Sequence, residues 1–468
     1  MSWLNPRRIR RQASLLAIAL WLGFALTLAT PGMRDRFSHL KGADFLHAYV
    51  LGSIALDHRA GALYDATAQR AIGERLVPAS AGDYFLPVYG PQYSLIWMPF
   101  ALLPYPWAAA LWMLLSAAIY AACCYAIWRT CPNLHTHAST VALAAAAFPG
   151  FFSLITFGQN SALALAAFTA AYFALHARRN LLAGFCLGLL AFKPQLAIVP
   201  AFVFTIATLR TPKGWPGFSG VGKSGTWNDF GKDTSSTGCG GTPVLGGAAL
   251  QRCDKRPASN AASAAEGNPS GSITAPLKPI LGAVLCLIVQ FAVTYAWYGR
   301  APFLTYAHVL THIGSAAKML EPRPYLMHSL RAFWNLLLPW PSLAFGLYIL
   351  TASSIVGLAI AIWQAPAPLH RRFAVMLLAT VLIAPHLTVY DLVILAPAFL
   401  WIADALAADP SPRLAWLLYL SFLLPFAGPL AIYTHLQVSV ICLAALTLAF
   451  AADHSRSIDA ACEGFTEN

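Results

Sequence analysis

A dozen apolar stretches, most of them close to the length of a membrane span, are separated by short loops that carry arginine. That alternation leaves little choice of fold. The hydrocarbon core of a bilayer takes about 20 residues of α-helix. Within it every backbone amide must be satisfied inside the protein, which favours helices over open strands. A water-soluble core of this size could not hide so many runs. The composition agrees, with 58% of residues hydrophobic and 10% charged, against about 25% charged in a soluble domain. The chain reads as an all-α polytopic membrane protein.

Arg7, Arg8, Arg10 and Arg11 precede the first apolar run and place the N-terminus in the cytoplasm. Met1 to Thr30 has the basic start and apolar stretch of a signal peptide. The run from Ala13 to Pro31 is nevertheless long enough to span, so it is read as an uncleaved first helix. Twelve transmembrane helices are expected, at 13–32, 106–128, 139–156, 161–177, 181–192, 196–209, 279–298, 341–363, 373–385, 389–407, 414–432 and 435–452. The fifth and sixth are short for a full span, so one or both must be broken or tucked inside the bundle. Residues 94–103, interrupted by Pro104 and Pro106, are expected to be re-entrant or interfacial. Every short loop placed in the cytoplasm holds an arginine, and Arg456 returns the C-terminus to the same side.

Two long loops face outward. The first, 33–90, is expected to carry short helices at 45–57 and 64–77, and the second, 300–340, holds His308, His312, Lys318, Arg323, His328 and Arg331. Residues 211–277 are dominated by Gly, Ser, Thr, Pro, Ala and Asn, a composition that cannot bury enough surface to fold. The organisation is therefore an N-terminal membrane module (1–210), a disordered cytoplasmic insert (211–277), a C-terminal membrane module (278–456) and a cytoplasmic tail (457–468).

Several functions can be set aside. A net charge of +12 could suggest nucleic acid, but the basic residues sit in short clusters beside apolar runs, as expected next to anionic lipid. None of the nine cysteines forms a C-x-x-C pair, which argues against a disulfide framework or a zinc site. Gly217-Phe-Ser-Gly-Val-Gly-Lys-Ser224 matches a phosphate-loop pattern. That motif needs a buried strand before it and a helix after it. Pro212 and Pro216 precede it here, so it is read as a chance match in glycine-rich sequence.

Ionisable side chains at membrane depth are costly and usually functional. In this topology Asp44, Gln159, Asn160, Lys193, His386 and Asp391 all fall at or near outer helix ends, where a folded bundle can gather them into one outward cavity. Each also has a plain structural use. Asp44 can cap a helix at 45–57, and Gln159 and Asn160 can cap the helix at 161–177. Lys193 can snorkel to the interface, although Pro194 after it suggests a break and a lysine there suits a phosphate. His386 can be a satisfied histidine at a helix end. Tyr390 and Asp391 can cap the helix at 389–407 or fix His386. Arg323 and Arg331 can be solvated loop charges. Asp44, within Lys41-Gly-Ala-Asp-Phe-Leu-His-Ala-Tyr49, is the residue expected to do chemistry.

Four stretches carry a resemblance: Gly42-Ala-Asp-Phe45, Gly158-Gln-Asn-Ser161, Leu187-Gly-Leu-Leu-Ala-Phe-Lys-Pro-Gln195 and Pro385-His-Leu-Thr-Val-Tyr-Asp391, with Leu63-Tyr64-Asp65 in the first loop. In this order and at these topological positions the chain resembles glycosyltransferase family 87. These are polytopic enzymes of the GT-C superfamily that use polyprenyl-phosphate sugars, and they include the mycobacterial mannosyltransferases that extend phosphatidylinositol mannosides. The resemblance implies that Asp44 is the catalytic base and that His386 lies in the active-site cavity. Lys193 as a ligand of the donor phosphate is a physical inference, and Gln159, Asn160, Tyr390, Asp391 and Arg323 complete the expected substrate-binding set. The insert at 211–277 departs from the family pattern on the opposite face.

The expected reaction moves a hexose, with mannose as the first candidate, from an isoprenoid-phosphate carrier to an acceptor hydroxyl on a lipid or glycan, with inversion. No D-x-D motif of the nucleotide-sugar kind is present, so neither an obligatory metal nor another cofactor is expected. The setting expected is the bacterial inner membrane, with a periplasm-facing site, both termini cytoplasmic, no nucleic acid, and a monomer. A transporter or flippase of lipid-linked sugars is the alternative, since it too would have broken helices and a polar midplane. Transporters often show repeated halves, and none is found here. A non-catalytic membrane scaffold, which would not need Asp44, is the third reading.

Overall fold

The twelve expected helices all form, but prolines break several of them. The computed structural model of the protein describes residues 5–82, 88–209, 277–312 and 323–466, with side chains described only as far as Ala452. The expected insert lies outside these residues except for Leu277, as do the phosphate-loop match and Lys318. Six helices are long and apolar enough to cross a membrane: Pro6–Leu28, Tyr105–Trp128, Lys278–Tyr298, Pro341–Gln364, Val389–Ala408 and Pro412–Thr434. A bent pair, Pro132–Ala146 with Pro149–Phe157, makes up to seven.

The remaining apolar helices are shorter, and the breaks have local causes. The expected helix at 139–156 bends by 44° just before Pro149, whose ring removes a donor and crowds the preceding turn. Lys193 separates two short 3₁₀ turns, Leu189–Phe192 and Pro194–Ala197, so the fifth and sixth expected helices are interrupted where they meet. Pro425 and Pro429 tighten residues 424–430 into 3₁₀ geometry inside the expected helix at 414–432. The last helix runs from Val438 to Thr466, so the expected tail at 457–468 is helical over most of its length.

Residues 1–210 and 276–468 form one compact unit. Its two sequence halves meet most closely where Asn180–Gly188 packs on Lys278–Tyr298. A Cβ at Gly184 would overlap the Pro279 carbonyl, and one at Gly282 would overlap that of Leu181. Only glycines let two helices approach to backbone contact, the geometry that holds helices together where lipid gives no hydrophobic drive. The outward side of Lys278–Tyr298 remains apolar and exposed, through Leu281, Leu285, Ile288 and Phe291.

The first long loop is built around Ala43–Leu56, a 14-residue helix too short to span. Its Phe45 is 1% exposed and stacks on Tyr105 and Trp112, with centroids 6.0 and 6.4 Å away. Trp97, on the helix Gln92–Ala101, meets the same Trp112 edge-on at 4.7 Å. Such aromatic pairs add about 0.5–1.5 kcal/mol each beyond area burial, enough to fix this short helix against the spans.

Candidate active site

Two left-handed glycines set the register of the site. Gly42 (φ 70°) precedes the Asp44 helix, and Gly158 (φ 71°) ends Pro149–Phe157. A Cβ on Gly158 would lie 3.1 Å from Phe45 Cβ and 3.5 Å from Gly42 Cα, so the two turns touch at backbone distance. One helix face holds both. Tyr105 donates its hydroxyl to the Gly42 carbonyl at 2.8 Å, and Trp112 donates its indole N–H to the Gly158 carbonyl at 3.1 Å. These donors are seven residues apart on Tyr105–Trp128, two turns along the same face.

The segments that follow the two turns bring Asp44 and Gln159 together. Gln159 Nε2 donates to Asp44 Oδ2 at 2.5 Å, while Asp44 Oδ1 has no hydrogen-bond partner among the described residues. Asp44 lies in the first helical turn, and Gly42, not Asp44, occupies the capping position, so the capping role open to Asp44 in the sequence is not the one it takes. Its carboxyl is part-exposed yet densely surrounded. Burial raises its pKa above the ordinary 3.8, against the opposing pull of the Gln159 hydrogen bond and of the Lys193 and Arg323 charges.

Gln159, Asn160 and Ser161 are consecutive and address three different partners. Asn160 Nδ2 donates to the Tyr93 hydroxyl at 2.7 Å and reaches that of Tyr89 at 3.4 Å. The two tyrosine rings stack at 4.1 Å. Ser161 Oγ donates to Asp391 Oδ1 at 2.6 Å and accepts from Lys193 Nζ at 2.9 Å. Lys193 Nζ also lies 2.6 Å from Asp391 Oδ1, in a pair with side chains only 5% and 3% exposed. The Tyr390 ring lies 5.1 Å from the same ammonium.

Asp391 does cap its helix. Thr388 and Asp391 form a reciprocal capping box, in which Asp391 Oδ2 accepts from the Thr388 amide at 3.3 Å and its hydroxyl at 3.2 Å. Both Asp391 oxygens are therefore occupied. The Lys193 charge is balanced in place, which leaves it a donor and a local dipole rather than a free cation.

The second long loop docks against this cluster. Met327 bridges Thr388 in antiparallel fashion, and the His328 amide donates to the Leu387 carbonyl at 3.0 Å. Gln437 holds the Tyr325 and Met327 carbonyls at 2.8 and 2.9 Å, and His328 Nδ1 pairs with Ser439 Oγ at 2.8 Å. His386 sits part-exposed beside this bridge, with its carbonyl accepting from Gln195 at 3.4 Å. Arg331 reaches the neighbouring Pro385 carbonyl at 3.3 Å, and exposed Arg323 acts on Asp44 through its charge.

The structure thus gathers Asp44 with Gln159, and Lys193 with Asp391 and Tyr390, with Asn160 between them in the chain. His386 and Arg323 stand at the side where the second loop docks. Sequence reasoning missed Tyr89, Tyr93, Ser161 and Thr388. Ser161 stands inside the quoted Gly158–Ser161 stretch, whereas Tyr89 lies just before the helix that carries Tyr93, so no helical spacing pointed to that pair. Among the described residues no three His, Cys, Asp or Glu side chains come together as a metal site.

Residues 86–213 match the family model of glycosyltransferase family 87, and that match indicates a glycosyltransferase. The matched segment contains Tyr89, Tyr93, Gln159, Asn160, Ser161 and Lys193, while Asp44, Arg323, His386 and Asp391 lie outside it. No curated protein and no solved structure matches the chain.

Proposed function

We propose that this membrane glycosyltransferase transfers a hexose, with mannose as the first candidate, from a polyprenyl-phosphate carrier to an acceptor hydroxyl, with Asp44 as general base. The observation that carries the reading is the contrast between its two carboxylates. Asp391 has both oxygens committed to Lys193, Ser161 and Thr388. Asp44 has one oxygen without a hydrogen-bond partner among the described residues, in a setting that raises its proton affinity. Carboxylates whose environments differ in this way divide structural from catalytic work.

In the proposed step the acceptor oxygen attacks the anomeric carbon as its proton passes to Asp44. The bond between that carbon and the phosphate oxygen breaks, and its electron pair leaves with the polyprenyl phosphate. One base and one in-line attack invert the anomeric configuration. Arg323 supplies positive charge for the departing phosphate, Lys193 supplies a preorganised donor, and His386 adds a third polar contact. These residues take the role that a divalent ion fills in other transferases, so the reading requires no metal. The lipid tail would lie near the interfacial helix Gln92–Ala101, whose neighbours Leu102 and Trp107 are exposed. The site would face the periplasm of a bacterial inner membrane, in a protein working as a monomer.

The test is transfer of radiolabel from polyprenyl-phosphate mannose to a total lipid extract by purified protein, comparing wild type with Asp44→Asn. The substitution keeps an oxygen for Gln159 to bond. Loss of transfer with an unchanged melting temperature supports the base, and equal transfer by both proteins removes Asp44 from the mechanism.

A further inference from the structure

The reaction as described makes no use of the Asn160 amide, whose environment is unusual. Asn160 is 4% exposed, and its Oδ1 is buried without a hydrogen-bond partner among the described residues. A buried acceptor left unpaired costs about 1–3 kcal/mol, and nearly all such atoms in folded proteins find a partner. Turning the amide over gives no relief. Its inner end is taken by Tyr93 and Tyr89, so rotation would satisfy Oδ1 there and leave Nδ2 unpaired instead. The partner that suits either orientation is a hydroxyl, which both donates and accepts.

The chain position says which hydroxyl. Gln159, before it, holds the base, and Ser161, after it, holds Lys193. A sugar in transfer must lie between the group that deprotonates its attacker and the group that receives its leaving phosphate.

We propose that Asn160 is a specificity residue that hydrogen-bonds a ring hydroxyl of the transferred sugar, with Tyr89 and Tyr93 as positioning residues that fix its amide. This rests on the glycosyl-transfer reading above. Tyr93 is 2% exposed and lies 2.7 Å from Asn160 Nδ2, so it is the anchor, while part-exposed Tyr89 makes the longer contact at 3.4 Å.

The experiment uses the full-length protein in detergent with polyprenyl-phosphate mannose, glucose and galactose, and then the monodeoxy forms of whichever sugar is transferred. Wild type should lose about tenfold or more in kcat/KM with one particular deoxy donor, the worth of one hydrogen bond and the pairing it leaves unmade. Asn160→Ala should lose a similar factor with the parent donor and nothing further with that deoxy donor. Tyr93→Phe, which keeps the ring and its packing, should flatten the preference among deoxy donors even if Asn160→Ala fails to fold.

Equal losses across all deoxy donors in the variants would overturn the proposal and leave Asn160 structural. Non-additivity with a deoxy acceptor instead would also overturn it, by moving the contact to the acceptor. If wild type neither transfers nor gains thermal stability from any of the lipid-linked sugars, the glycosyl-donor reading falls and this inference with it. Transfer by wild type with no deoxy preference would sink the inference alone.

Discussion

Gln159 donates its side-chain amide to one oxygen of Asp44, from 115 residues further along the chain. That bond stabilises the ionised carboxylate, whereas burial opposes it. A general base works only when deprotonated, so kcat/KM should rise with pH through a pKa above the ordinary aspartate value. Gln159→Ala removes a lowering influence and should move the acid limb to higher pH, with most of the loss at low pH. A pH–rate profile for both proteins reads the shift, and an unmoved limb would separate Gln159 from the base.

Asp44→Asn tests the base itself. General base catalysis contributes about 10²–10⁴-fold, so turnover should drop by a factor in that range. Transfer measured at saturating donor, with melting followed in parallel, distinguishes lost chemistry from lost structure.

The Lys193–Asp391 pair should behave as a unit. Lys193→Met leaves a buried carboxylate facing only hydroxyls and an amide, a change that costs about 3–5 kcal/mol. Adding Asp391→Asn removes the stranded charge and should restore most of that stability without restoring transfer. A denaturant titration of the two single variants and the double variant gives the coupling. Simple additivity would mean that the two groups do not interact.

His328 should limit stability in acid. It is fully buried, and burial lowers its pKa from 6.5 to about 3. The unfolded chain takes up this proton below 6.5 and the folded one does not until about 3, so stability falls as pH drops through that window. The slope is about 1.4 kcal/mol per pH unit. His328→Gln, which can still pair with Ser439, should flatten the fall between about pH 6 and pH 4, as seen in unfolding curves taken across that range.

Gly158 should tolerate no side chain. Alanine there pays about 1–2 kcal/mol for the left-handed backbone and presses a methyl against Phe45. Because Phe45 adjoins Asp44, Gly158→Ala should reduce transfer as well as melting temperature. Gly61→Ala, with open space around it, is the matched control and should change neither.

Much of this site was legible because polar residues stand out in an apolar chain. Asp44, Gln159, Asn160, Lys193 and Asp391 could be selected by the energetic cost of placing them at membrane depth. Their pairing could not. Lys193 and Asp391 are 198 residues apart, and periodicity reports which face a residue occupies, not which distant face it meets. Tyr89 and Tyr93 escaped notice for the opposite reason, since tyrosine is ordinary at a membrane interface. The helix breaks followed the same division. Lys193-Pro194 was readable from local chemistry, whereas the bend before Pro149 was not, because proline at a first helical turn and proline at a kink look alike in sequence.

Asn180–Gly188 and Lys278–Tyr298 stand on either side of residues 210–276 and touch through glycine backbones. The two helices are therefore fastened to each other by the fit of their surfaces, a grip that does not ask the chain to run unbroken from one to the other.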